Sequence, residues 1–193
     1  TQASTYSLGV GNRSMLLGAE IQNPVCKEDS IKLTFKATNL DGQPVSVEGN
    51  YKLYPVVGGA KSEEVMKGTP AYTGTFVSNK ETLLPGWTSV PSGEYLLVMS
   101  AKDDQGREVT GEEEVILFSI KDKRPPVDKA IWYYAENTSF DAAHPAVFYF
   151  GTSKKDAYVM MNLFSGNRML ESKVLRLSDS IERFEYPYKE SYG

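Results

Sequence analysis

The sequence predicts an all-β protein made of antiparallel sandwiches, and three observations lead to this class. Apolar and polar residues alternate over residues 30–56, which is the period of a strand with one buried face. Two runs, at residues 95–99 and 115–118, are apolar at nearly every position, as interior strands are. Turn-forming residues separate these segments, and apolar residues recur at two rather than three and four, so no helix is predicted.

Residues 30–56 show the clearest pattern, and they predict a β-hairpin. The first strand places four apolar side chains on one face, namely Ile31, Leu33, Phe35 and Ala37. Residues 39–44, NLDGQP, supply the Asn, Asp, Gly and Pro that favour a chain reversal. The alternation resumes at Val45, Val47, Tyr51 and Leu53. Gly49 and Asn50 interrupt it, which predicts a β-bulge there.

Five further segments complete the first unit of the chain. Residues 6–10 and 15–21 predict two short β-segments around a tight turn. Residues 69–79 predict another strand, with Tyr72, Gly74 and Phe76 on one side. The runs at residues 95–102 and 115–120 predict two interior strands, with a turn at residues 103–107 between them. The acidic residues 112–114 are expected on the solvated rim.

A charged stretch with paired prolines, residues 121–129, predicts the boundary between two domains, because charges resist burial and paired prolines stiffen a linker. The expected domains are residues 1–122 and 127–193. The second has five strand-like runs, at residues 131–134, 146–150, 158–164, 169–177 and 181–186. Residues expected to be buried across both domains include Leu33, Phe35, Tyr95, Leu97, Leu117, Val147 and Val159.

Both domains are predicted to be immunoglobulin- or fibronectin-III-like sandwiches, the second one incomplete. Such a sandwich needs about 100 residues and about seven strands, and residues 127–193 fall short of both. The second domain is therefore expected to lack its C-terminal part. The strand at residues 181–188 would then present an unpaired edge, which predicts concentration-dependent association of the isolated chain.

Composition excludes several classes of function. The net charge is -4 and the 21 Lys and Arg residues are scattered, so no basic surface for nucleic acid is expected. The apolar runs are far too short to span a bilayer. The N-terminal residues lack the pattern of a signal peptide, which leaves a cytosolic origin and a trimmed mature chain both open.

No catalytic, cofactor-binding or metal-ligating residue is predicted, and the chain is not expected to be an enzyme. Cys26 is the only cysteine and His144 the only histidine, so a multi-cysteine metal site is excluded and packing or turn roles are favoured. The turn at Asp103 and Asp104 lacks the spaced oxygen ligands of a calcium loop. Asn12 and Asn137 fit the glycosylation acceptor pattern, which matters only in a eukaryotic secretory route.

Aromatic residues give an alternative function, a carbohydrate-binding or adhesive sandwich. Trp87, Trp132 and Tyr134 are the candidates for exposed rings that stack on a sugar. The second domain is also rich in tyrosine, but these residues alternate with others along the strands, so packing is the commoner explanation.

Several turn and strand signatures resemble the macroglobulin-type β-sandwich domains of the bacterial alpha-2-macroglobulin family. In the first domain they are Ile31-Lys32-Leu33-Thr34-Phe35 leading to residues 39–45, and Pro91-Ser92-Gly93-Glu94-Tyr95 leading to residues 104–109. In the second they are residues 151–156 with Tyr158-Val159, and residues 186–193. The thioester signature of the family, Cys-Gly-Glu-Gln, is absent, since Lys27, Glu28 and Asp29 follow Cys26.

The resemblance implies a non-catalytic structural module of a large cell-envelope protein that entraps or inhibits proteases. It also implies an extracytoplasmic location, in the periplasm or on the surface of a Gram-negative bacterium, with a lipoprotein anchor left open. The expected partners are neighbouring domains of the same polypeptide and target proteases, and no cofactor is expected.

Overall fold

The structure is a computed structural model, and it describes residues 14–137, 141, 143–187 and 189. The strands of the first unit are β1 (Met15–Glu20), β2 (Val25–Cys26), β3 (Lys32–Asn39), β4 (Glu48–Pro55), β5 (Tyr72–Val77), β6 (Glu81–Leu83), β7 (Gly93–Lys102) and β8 (Glu108–Phe118). The strand predicted at residues 6–10 lies outside the described residues. The expectation of no helix is wrong for two short pieces, α1 (Ser62–Val65) and a 3-10 turn at Pro85–Ser89, which are too short to produce a helical period in the sequence.

The first unit is a β-sandwich of a five-stranded and a three-stranded sheet. The larger sheet has the order β2-β8-β7-β4-β5 and the smaller one β1-β3-β6. Its pairs are antiparallel apart from the short parallel pair β2-β8. The core between the sheets contains the predicted residues Leu33, Phe35, Tyr95, Leu97 and Leu117, all buried. The predicted all-β sandwich class is confirmed for this unit.

The predicted β-hairpin at residues 30–56 is wrong, because β3 and β4 belong to opposite sheets. The turn itself forms: the Asn39 side-chain oxygen accepts hydrogen bonds from the backbone N–H groups of Asp41 and Gln43, and Gly42 has a φ of 78°. The chain then crosses to the other sheet. Ser78 fixes this crossing, since its hydroxyl donates to the Val45 carbonyl and accepts from the Val47 N–H.

The crossing has a clear cause in the core. Phe35 of β3 stacks on Tyr51 of β4, with ring centroids 5.2 Å apart, and on Phe76 of β5, at 4.2 Å. The apolar faces of β3 and β4 therefore meet across the sandwich, whereas a hairpin would have placed them side by side in one sheet. Both arrangements bury the same alternate residues.

The β-bulge predicted at Gly49 and Asn50 is also absent. The register of β4 is continuous against both β5 and β7 through this position. Gly49 is instead required by close packing, since a Cβ there would lie 2.5 Å from both the Phe76 ring and the Ser100 carbonyl oxygen.

The acidic residues 112–114, which were expected on the solvated rim, lie within strand β8. Glu112 and Glu114 are exposed, and Glu113 is half-buried.

The second unit contains all five predicted strands. They are β9 (Trp132–Ala135), β10 (Ala146–Thr152), β11 (Ala157–Ser165), β12 (Arg168–Leu177) and β13 (Ser180–Tyr186). A three-stranded antiparallel sheet has the order β13-β10-β9, and β11 and β12 form a separate hairpin that lies over it. Val147 is buried as predicted, but Val159 is only half-buried, because it lies on β11, which in the described chain has a neighbouring strand on one side only.

The domain limits at residues 122 and 127 stay a prediction. No strand lies between Phe118 and Trp132, and this connecting segment packs against the second unit: the Ile181 N–H donates to the Lys123 carbonyl. In the part of the chain that the structure describes, no helix is long and apolar enough to cross a membrane.

Candidate functional site

The three rings proposed for carbohydrate binding are buried, so that part of the prediction is wrong. Trp87 is 0% exposed, Trp132 5% and Tyr134 8%. Trp87 follows a Pro-Gly turn that directs it into the first core, where it packs edge-on against Tyr51 with centroids 6.1 Å apart. Since stacking on a sugar needs an open ring face, none of the three is available for it.

Cys26 lies buried at the end of β2. This agrees with the prediction that it is a small packed side chain. Its thiol lies 3.4 Å from a Glu28 carboxylate oxygen. Burial, together with the neighbouring carboxylates of Glu28 and Asp29, raises its pKa to about 11. The thiol is therefore protonated at neutral pH, where a nucleophile would need to be a thiolate.

His144 and Asn137 both serve turns. His144 is exposed, and its Nδ1 lies 3.0 Å from an Asp141 carboxylate oxygen. The Asn137 amide nitrogen donates to the Pro145 carbonyl, and its oxygen accepts from the Val147 N–H, so this side chain closes the β9–β10 connection. The other acceptor candidate, Asn12, lies outside the described residues.

Asp103 organises the β7–β8 turn as a plain hairpin turn. One carboxylate oxygen accepts from the backbone N–H groups of Gln105 and Arg107, and the other from the Ser14 hydroxyl and Arg107 Nε, each at 2.9 Å. Desolvation raises its pKa, but the hydrogen bonds from Arg107, Ser14 and Gln105 outweigh this and lower the pKa to about 2. Among the described residues no group of three or more His, Cys, Asp or Glu is placed to hold a metal ion.

We expect Asp103→Asn to destabilise the protein at neutral pH and to remove part of its acid sensitivity. The folded pKa lies below the ordinary value of 3.8, so the unfolded state takes up the proton first. The stabilisation that the ionised Asp103 carboxylate gives to the folded state is present above about pH 4. It is lost as the pH falls through about 2. The difference in melting temperature between wild type and variant should therefore shrink from pH 6 to pH 2. Asp104→Asn, in the same turn, is the control, and an unchanged difference over this range would contradict the assignment.

An apolar junction joins the two units. Phe118, at the end of β8, is 0% exposed and packs edge-on against Trp132 at 5.2 Å and Tyr134 at 4.6 Å between centroids. Cys26 from the first unit and Val127 from the connecting segment belong to the same buried cluster. One face of the β13-β10-β9 sheet is thus covered by the first unit.

Glu28 binds the segment that leaves this junction, directly after β8. Its carboxylate accepts hydrogen bonds from the Ser119 hydroxyl at 2.5 Å and from the Ile120 N–H at 3.1 Å. Desolvation opposes ionisation of Glu28, but these hydrogen bonds outweigh it and lower its pKa. Tyr134 contributes from the second unit, since its hydroxyl lies 3.3 Å from Asp29. The direction in which the chain enters the second unit is therefore fixed by both polar and apolar contacts.

The other face of the β13-β10-β9 sheet is only partly covered and forms an open cleft of about 670 Å³ under the hairpin. Its lining is mostly apolar, with Tyr133 and Ala135 from β9, Ala146, Phe148 and Phe150 from β10, and Leu163, Phe164 and Leu170 from the hairpin. Tyr133 is 70% exposed at its mouth. Alternation along β10 explains the two faces, because Val147 and Tyr149 belong to the junction cluster while Phe148 and Phe150 line the cleft.

The hairpin also exposes apolar side chains to solvent. They are Tyr158, Met160, Phe164, Met169 and Val174, each more than half exposed. Met160 lies opposite Val174, and Phe164 opposite Met169, so they form cross-strand pairs. The sequence had indicated five strands here but gave no sign of the cleft, because alternation tells which residues share a face and not whether that face is covered.

Comparison with known proteins gives a likeness in structure only. No family model matches the chain, and no curated protein matches it. Two solved structures of Escherichia coli alpha-2-macroglobulin match, one of the native conformation by cryo-electron microscopy and one crystal structure of the trypsin-activated protein. Sequence identity is 14% in both cases, with TM-scores of 0.40 and 0.39. The match covers 91% of this chain but only 14% and 15% of those chains, so the chain spans a small part of their length.

Proposed function

We propose that this chain is a non-catalytic structural module of an alpha-2-macroglobulin-like protein of the cell envelope that entraps proteases. In this role it holds neighbouring domains of one polypeptide at a fixed distance and angle. Its partners are those domains and, through the whole protein, the target proteases. The proposed location is extracytoplasmic.

The observation that carries the structural role is the junction around Phe118. A flexible tether between two sandwiches needs few contacts, whereas here a fully buried phenylalanine, two aromatic rings of the second unit and the Glu28 hydrogen bonds fix the connection. A stiff connection is what a module needs if its neighbours are to keep their relative positions.

The assignment to this particular class rests on the signatures in the sequence. Two of these sequence signatures, at residues 39–45 and 91–95, correspond to local contacts in the structure. Residues 39–45 make a turn held by the Asn39 side chain, and the Tyr95 hydroxyl donates to the Pro91 carbonyl at the start of β7.

The test uses trypsin as the probe protease and the complete product of the reading frame that encodes this chain. We expect trypsin to co-elute with that product in size-exclusion chromatography, to keep cleaving a small peptide substrate and to lose access to a large protein substrate. The 193-residue chain alone should neither retain trypsin nor hydrolyse either substrate. Trypsin that elutes free and cleaves the protein substrate at its normal rate would overturn the proposal.

A further inference from the structure

We infer that the free edge of β9 accepts an extended, uncharged polypeptide segment of a separate chain, which adds to the β13-β10-β9 sheet as a further strand. The site is an open groove of about 520 Å³ between residues 131–135 and the first unit, which we call the edge groove. This inference concerns the edge groove alone and does not depend on protease binding.

The lining of the edge groove shows that it follows the edge of the strand. All five residues from Ile131 to Ala135 line it. Successive side chains of a strand point to opposite faces, and here Trp132 and Tyr134 belong to the junction cluster, while Tyr133 between them is 70% exposed. A groove on one face of the sheet would contact alternate residues, so a groove that contacts all five runs along the edge.

The backbone of β9 offers unpaired groups to this groove. The Glu136 N–H donates to the Val147 carbonyl, so these two residues form a hydrogen-bonded antiparallel pair. Such pairs alternate along a ladder, so every second residue counted back from Glu136 bonds to β10. Tyr133 and Ala135 lie between these residues and direct their N–H and C=O groups to the edge groove, where no group of the described chain bonds them. An added strand satisfies such groups, whereas a lipid does not.

The edge of β9 lacks the features that usually protect a free strand edge. Residues 131–135 contain no charged residue, proline or glycine. The opposite edge of the same sheet is β13, which carries Glu182, Arg183 and Glu185. These charges disfavour an added strand, so β9 rather than β13 is the edge that accepts one.

The opposite wall of the edge groove belongs to the first unit and limits what can enter. It is formed by residues 22–24 with Glu114 and Ile116 of β8. The Asn23 side chain donates to the Glu114 carbonyl and accepts from the Ile116 N–H, so this part of β8 already has its partner. A groove with two walls has room for a single extended chain, whereas a folded sheet brings further strands at intervals of about 4.8 Å. A separate extended segment therefore fits the groove better than the β9 edge of a second copy.

The side chains around the edge groove favour an uncharged, apolar segment. Ile131 and Tyr133 are 62% and 70% exposed, and a strand added beside β9 places its own side chains about 5 Å from them. Burial of this apolar surface stabilises the added strand. The charged residues in the lining are Glu114 and Lys129, which have opposite signs and so give no preference for an acidic or a basic segment.

The experiment measures binding of a capped seven-residue peptide of alternating threonine and valine to the 193-residue chain by fluorescence anisotropy. β-branched residues favour the extended conformation, and we expect saturable binding. The same peptide with N-methyl groups on its three central residues keeps the side chains but loses their N–H donors, so it should bind at least tenfold more weakly. Peptides with glutamate or with lysine in place of threonine should each bind at least threefold more weakly.

Hydrogen exchange, followed for single amides by NMR, locates the bound peptide. The Tyr134 amide bonds to β10 and should exchange slowly with and without peptide. The amides of Tyr133 and Ala135 should exchange fast in the free chain and at least tenfold more slowly in the complex. Protection of β11 or β13 instead would overturn the inference. So would amides of Tyr133 and Ala135 that are already protected in the free chain, because the chain itself or a second copy would then cover the edge.

Ile131→Glu tests the edge groove without burying a charge in the free chain, since Ile131 is 62% exposed. It should weaken binding of the threonine–valine peptide at least tenfold, because the added strand would desolvate the charge. Leu40→Glu, at a residue 67% exposed in the first unit, should leave binding unchanged. Equal binding by the Ile131→Glu variant and the wild type, or no saturable binding up to about 1 mM peptide, would overturn the inference.

Discussion

Phe118→Ala should lower the free energy of unfolding by about 3–5 kcal/mol, the usual cost of removing a fully buried phenylalanine. The expected loss is large because the ring is 0% exposed and contacts both Trp132 and Tyr134. Its removal leaves a cavity at the only apolar cluster that contains buried residues from both units of the described chain. Urea denaturation followed by tryptophan fluorescence is the measurement, and we expect the second unit to unfold first.

Phe164→Ala is the matched control for this substitution. Phe164 is 55% exposed on the hairpin, so its removal should change stability by about 0.5 kcal/mol. Equal losses in the two variants would show that Phe118 does not hold the units together. A Phe118→Ala protein that unfolds in one transition, with an unchanged midpoint, would contradict the junction and with it the basis of the proposed structural role.

Gly49→Ala should destabilise the protein by about 1–3 kcal/mol, the range for overpacking a well-filled core. The added methyl would lie 2.5 Å from the Phe76 ring and, at the same distance, from the Ser100 carbonyl oxygen. The ring cannot move away freely because it stacks on Phe35 at 4.2 Å, and the carbonyl belongs to the neighbouring strand β7. Thermal unfolding followed by circular dichroism provides the measurement.

Gly93→Ala is the control within the same sheet. A Cβ at Gly93 would meet its nearest atom, in the Tyr95 ring, at an ordinary 3.6 Å. Both glycines lie in strands, so the loss of glycine flexibility in the unfolded chain acts on both and cancels in the comparison. If the Gly49→Ala protein is as stable as the Gly93→Ala protein, β4 can shift to make room for the added methyl group. Close packing would then not be the reason for glycine at position 49.

The sequence by itself determined where the longer strands lie and which of their faces are apolar, whereas the two- and three-residue strands β2 and β6 were not predicted. The five runs of the second unit all became strands, and Phe35, Leu97 and Leu117 lie in the core of the first. These features follow from a period of two, which is a property of the chain over five to ten residues. The turn at residues 39–44 could also be predicted from the sequence, because it is formed by contacts between near neighbours. The Asn39 side chain accepts hydrogen bonds from the backbone two and four residues further on.

Only the tertiary structure decided which strands pair and which faces are covered. Alternation in β3 and β4 is the same whether they form a hairpin or face each other across a core, and the outcome depends on Ser78, more than thirty residues away, binding the segment between them. The burial of Trp132 and Tyr134 depends on Phe118, and the cleft depends on how far the hairpin extends over β10 and β9. Such contacts join residues distant in sequence, so no local period or spacing contains them.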